Sequence, residues 1–74
     1  MLIVLELWEP TQGATPQTIT YPRETQYEAM SSYHLILSQA AVSKHYRHGA
    51  IVMQTDGKYL ARESFLHLPE ESGE

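Results

Sequence analysis

From Leu2 to Trp8 every position except Glu6 is apolar, and the run is rich in Leu, Ile, Val and Trp. A short apolar run with β-branched and aromatic members reads as a β-strand. Pro10, Gly13 and Pro16 then punctuate a loop. Gln17 to Tyr21 alternates polar with apolar residues and reads as a second, half-exposed strand that folds back on the first. Thr25-Gln26-Tyr27-Glu28 has the capping-box pattern, in which the threonine side chain accepts from the third helical N–H and the glutamate reaches back. Helix is expected from Gln26 to about Ser43 or Lys44. At about 100° per residue, Ala29, Met30, Tyr33, Ile36, Leu37, Ala40 and Ala41 share one stripe, the expected core face. Leu35 and Val42 line up on the opposite side, as a weak contact surface. His48 to His67 reads as a second hairpin, turned at Asp56-Gly57, where glycine accepts positive φ without steric cost. A two-residue loop and a three-residue loop with a bulge both fit. The expected order is β-β-α-β-β. This is an α+β fold with an antiparallel or mixed sheet and one helix on a face, forming a single domain over residues 1–74 with 69–74 as a polar tail.

The strand pattern carries a further expectation. Ile3, Leu5 and Leu7 fall on one side of the first strand, and Leu2, Val4 and Trp8 on the other. In the second hairpin Ile51, Met53 and Leu60 compete with Val52, Tyr59 and Phe65 for the inner face. Strands apolar on both faces are normally covered on both, and one helix covers one face. A homo-oligomer, most simply a dimer, is therefore expected, either sheet on sheet or strand edge to strand edge. Its interface is assigned to Leu2, Val4, Trp8, Leu35 and Val42.

Composition narrows the class. With 42% hydrophobic and 19% charged residues the chain is globular rather than disordered. Cysteine is absent, which excludes disulfides and cysteine–zinc sites. The formal charge of −4 argues against direct nucleic-acid binding and suits docking on a basic partner surface. The N-terminal run has no basic region and no cleavage site, so it is not read as a signal peptide. No stretch approaches the ~18 apolar residues of a membrane span. A cytoplasmic protein is expected.

Candidate chemistry centres on the four histidines. His34 flanks the helix stripe and is expected to be packed. It lies eleven residues from His45, about 16 Å along a helix, too far to share a metal. His48 opens the third strand and His67 closes the fourth, so the two are expected within a residue or two of each other. His45 could approach them, and Glu63 or Glu70 could supply a carboxylate to a zinc-like site. "HYRH" lacks both the i, i+4 spacing and the acid of the helical zinc motif. Lys44, His45 and Arg47 also suit a helix C-terminus, where cations meet unpaired carbonyls. No nucleophile constellation and no glycine-rich phosphate loop is present. The reading is of a non-enzyme with no cofactor and no committed metal site. Its partner-binding patch is His45, Tyr46, Arg47, His48, Arg62 and His67, with Tyr27 as a further surface contact.

Tyr33-His34, Ala40-Ala41 with Ser43, His48 before an apolar strand, Asp56-Gly57, and Glu63 with His67 together resemble a pattern seen in small uncharacterised proteins of phages and prophages of Gram-positive bacteria. The resemblance covers about half the chain. It brings no established activity and implies only a phage setting. In that setting the expected role is a counter-defence inhibitor that binds or sequesters a host factor, acting in the host cytoplasm. A virion or assembly accessory protein is the alternative, and a histidine-dependent metal-binding protein is another. A sponge for a signalling nucleotide would have to use the same cationic, aromatic patch.

Overall fold

The computed structural model describes residues 1–68, so the tail expected at 69–74 lies outside the described residues. Strand β1 spans Leu2–Glu9, β2 Gln17–Arg23, helix α1 Gln26–Ala40, β3 Arg47–Gln54 and β4 Tyr59–Leu66. The order is the one the pattern predicts. The four strands form one sheet in the order β2-β1-β3-β4, and every neighbouring pair is antiparallel. Chain geometry explains why. β2 ends with Arg23 opposite Leu2, and the 15-residue helix carries the chain roughly 22 Å back along the sheet. β3 then enters opposite Glu9 and runs against β1.

α1 starts where the sequence places it. Thr25 accepts from the Glu28 N–H at 3.1 Å, and the Glu28 side chain accepts from the Thr25 N–H at 3.4 Å. It ends earlier than expected, at Ala40 with Ala41 as cap. The Val42 and Ser43 N–H groups donate three residues back, to Gln39 and Ala40 carbonyls, which tightens and closes the last turn. No basic residue lies in that turn. Instead the His67 Nε2–H donates to the Ala40 carbonyl at 2.8 Å, from beyond β4. The role expected of Lys44, His45 and Arg47 is thus taken by a residue distant in sequence.

The helix buries Ala29, Tyr33, Ile36 and Ala40 against one face of the sheet, where Val4, Ala50 and Val52 complete the core. Ala41 leaves the predicted stripe and is exposed, because the helix has already ended. His34 is exposed too, contrary to expectation; its ring and that of Tyr33 lie edge to face, 5.4 Å apart between centroids. Alanines at the contact let the helix backbone approach the strands closely.

The β3–β4 turn is the three-residue alternative. The Gly57 N–H donates to Gln54 O at 2.8 Å, Gly57 sits at φ 95°, and the Gln54 N–H donates to Lys58 O. A bulge follows, since Met53 faces Tyr59 while Val52 faces Ala61. Gly49 is fixed by a different constraint: a Cβ there would lie 2.4 Å from the Glu63 carbonyl and 2.6 Å from Ser64 Cβ. β4 crosses β3 too closely for any side chain at that point.

Strand alternation decides which apolar set the helix takes. Leu2 and Val4 lie beneath α1, and Val4 is fully buried, with 0% exposure. Three members of the expected oligomer interface, Leu2, Val4 and Trp8, therefore lie on the helix side of the sheet, with Val4 in the core of a single chain. The face left bare is that of Ile3, Leu5 and Leu7, with Ile51 and Met53 beside them in register. Leu35 and Val42 are exposed, but on the helix side of the molecule.

Candidate functional site

Glu6 is the one acid within the apolar run Leu2 to Trp8 of β1, and alternation turns it inward with Val4. A charge aimed at a core needs partners, and it has two. The His48 Nε2–H donates to Glu6 Oε2 at 2.7 Å, and the Tyr21 hydroxyl donates to Oε1 at 3.1 Å; a carboxylate only accepts. β1 supplies Glu6, β2 supplies Tyr21 and β3 supplies His48, so one cluster ties three strands together. His48 is 6% exposed. Its ring meets Trp8, its cross-strand partner, at 6.1 Å and the edge of His45 at 5.2 Å. Desolvation raises the Tyr21 pKa above the ordinary 10.0, and the hydrogen bond and charge of Glu6 push it the same way. Burial raises that of Tyr33 in the same direction, with the Glu63 charge adding to it.

A carboxylate holding one imidazole nitrogen is the arrangement that orients metal-bound and catalytic histidines. Here the imidazole is buried. His48 Nδ1 is buried without a hydrogen-bond partner, and so is Ser43 Oγ. Among the described residues no group of three or more His, Asp or Glu side chains is placed to hold a metal ion.

The patch expected from sequence divides in two. His45, His48 and His67 are engaged within the chain: the first two meet Trp8 and each other at tilted and edge-on angles, and His67 holds the helix end. His48 and His67 do lie within two residues of each other across the hairpin, as expected, but their side chains take different partners. His67 N–H donates to Tyr46 O, so His67 lies opposite Tyr46, while His48 faces Phe65. His48 instead meets His45 and Glu6 rather than Glu63, and Glu70 lies outside the described residues. Arg47 and Arg62 are exposed, each over a tyrosine, Tyr46 at 5.9 Å and Tyr59 at 5.3 Å. Both lie on the bare side of the sheet, and Arg47 also approaches Glu9 at 4.0 Å.

A second feature went unread in the sequence. α1 packs chiefly over the central strands β3 and β1 and meets the edge strands β2 and β4 less, so space remains over the inner side of β2. A cleft of about 160 Å³ results, lined by Glu6, Tyr21, Arg23, Ser32, Leu35, Ile36 and Gln39. Arg23 is fixed on its wall. Nε–H donates to Ser32 Oγ at 2.9 Å, Nη1–H to the Pro22 carbonyl at 2.8 Å, and the guanidinium lies 5.7 Å from the Tyr21 ring centre. The inward Glu6 was the available signal. Arg23 and Ser32 gave none, because their meeting depends on where the helix lands. Compared with family models, curated proteins and solved structures, nothing matches the chain.

Proposed function

We propose that this protein is a small non-catalytic interaction protein that binds a partner protein in the cleft between α1 and β2. The cleft itself carries this reading, because it sets an apolar recess beside an immobilised cation. Leu35 is 61% exposed and Val42 81%, which extends the apolar surface along the outside of the helix end. An apolar side chain of the partner fits between Leu35 and Ile36, and a carboxylate beside it meets Arg23. A pre-ordered arginine next to aromatic and aliphatic surface is the usual make-up of an interface centre. The burial of the His48 ring, whose free nitrogen faces no solvent, supports the non-catalytic reading. In the phage setting that the resemblance implies, the partner is a host factor and the protein an inhibitor in the host cytoplasm. No helix among the described residues is long and apolar enough to cross a membrane.

The test is capture from a bacterial lysate by the immobilised chain, with Leu35→Asp and Arg23→Glu as comparisons. Each substitution is expected to weaken binding of the captured protein by about tenfold or more while leaving the circular dichroism spectrum unchanged. A partner held equally well by the wild type and both variants would remove the cleft from consideration.

A further inference from the structure

We infer that a second copy of this chain packs on the bare sheet face, back to back, with the two helices outward. The face is built of matched rows: Ile3 beside Met53, Leu5 beside Ile51 and Arg62, Leu7 beside Gly49 and Ser64. Thr18 and Thr20 of β2 flank it. Among the described residues nothing covers it, since α1 lies on the other side.

Three observations favour a second copy over other occupants. The first is charge. The chain carries −4 overall, yet the strand positions on this face hold two arginines, Arg47 and Arg62, against one acid, Glu9. Two acidic chains can therefore meet here without setting acid against acid, and both arginines sit at the margin, folded over tyrosines. The second is shape. Leu7, Ala50, Ile51, Arg62, Glu63 and Ser64 line a hollow of about 340 Å³. A ridge, Leu5 with Ile51, stands beside the hollow, so a two-fold axis sets the ridge of each copy against the hollow of the other. The third is area. Four strands about 4.8 Å apart and about 26 Å long present roughly 500 Å² per copy, or roughly 1,000 Å² for the pair, which reaches the lower bound for a specific interface.

The sheet edges suit self-pairing less well. Pro22 in the edge strand β2 has no N–H to give. At the other edge, an antiparallel pair about a two-fold sets residues of equal parity opposite one another. The two registers that pair most of β4 with itself then place Arg62 on Arg62 or Glu63 on Glu63, and like charges directly opposed are unfavourable.

Light scattering on the full chain, from low to high micromolar concentration, tests the inference. The expected mass is twice the 8.5 kDa of one chain. Leu5→Arg is expected to give a folded monomer, and the milder Leu5→Thr a dimer that dissociates at higher concentration than wild type. Leu35→Asp, on the helix side, is expected to remain a dimer. A wild-type monomer throughout this range overturns the inference, as does a dimer that Leu5→Arg and Leu5→Thr leave intact. Capture of the partner at the cleft is read separately and survives either result.

Discussion

Glu6 shows how one side chain can hold a sheet together and look like chemistry while doing so. It accepts from His48 and Tyr21, and all three are removed from bulk water to different degrees. Replacing it leaves a buried imidazole and a hydroxyl without their acceptor. Glu6→Ala is expected to lower stability by about 1–3 kcal/mol, measured as a shift in the urea midpoint; no change would mean that water replaces the carboxylate freely. Gly49 works by the absence of a side chain. Gly49→Ala drives a methyl into the β4 backbone and is expected to lower stability by about 1–3 kcal/mol, as overpacking does. A Gly49→Ala protein as stable as the wild type would show that β4 yields at that point. The tyrosines give a pH dependence. Tyr21 and Tyr33 both have pKa values raised above 10.0 in the folded chain. Between the unfolded and folded values the unfolded state has lost a proton that the native state keeps, so stability falls as pH rises there. Their contribution is thus fully present below pH 10.0 and lost above it. Ring resonances that titrate at or below 10.0 for these two residues would contradict the burial that raises them.

At the scale of elements, local sequence sets the starts better than the ends. The capping box of α1 is complete within four residues, and it was legible for that reason. Thr25→Ala is expected to cost about 1 kcal/mol, read from the thermal midpoint, with the helix content of the folded state retained; an unchanged midpoint would show that sheet packing alone fixes the helix start. The helix end was misplaced by three or four residues because it answers to distant groups. β3 has to enter opposite Glu9, and His67 supplies the donor for the Ala40 carbonyl. The second hairpin was legible as a hairpin, since Asp56-Gly57 is a local signal. Its register was not, because a three-residue loop and a bulge together determine which residues face each other.

For the whole molecule, the consequence of one helix on a four-stranded sheet is a bare apolar face. The expectation of an oligomer came from that imbalance, and the dimer we infer places its interface on Ile3, Leu5, Leu7, Ile51 and Met53 rather than on Leu2, Val4, Trp8, Leu35 and Val42. If two copies share that face, unfolding is linked to dissociation, and apparent stability rises with protein concentration. The urea midpoint is expected to climb as the wild-type concentration is raised tenfold and to stay constant for Leu5→Arg. A wild-type midpoint independent of concentration would argue against a dimer. Back-to-back packing also turns both α1–β2 clefts outward, so a dimer would engage a two-sited partner with the gain that bivalency gives.

The chain by itself determined the elements, their order, the core stripe of the helix and the presence of more apolar strand surface than one helix covers. Those properties follow from periodicity, turn residues and a cap, all of which act over a few neighbouring positions. Only the tertiary structure decided which side of β1 the helix takes, that Glu6 is the acid held by His48, that His67 closes the helix, and that Arg23 meets Ser32 beside an open cleft. Each of these joins residues far apart in sequence through sheet register and helix placement. A shift of one residue in either would turn the same side chains to the opposite face, which is why the histidine pair in "HYRH" could be noticed in the sequence but its partners could not.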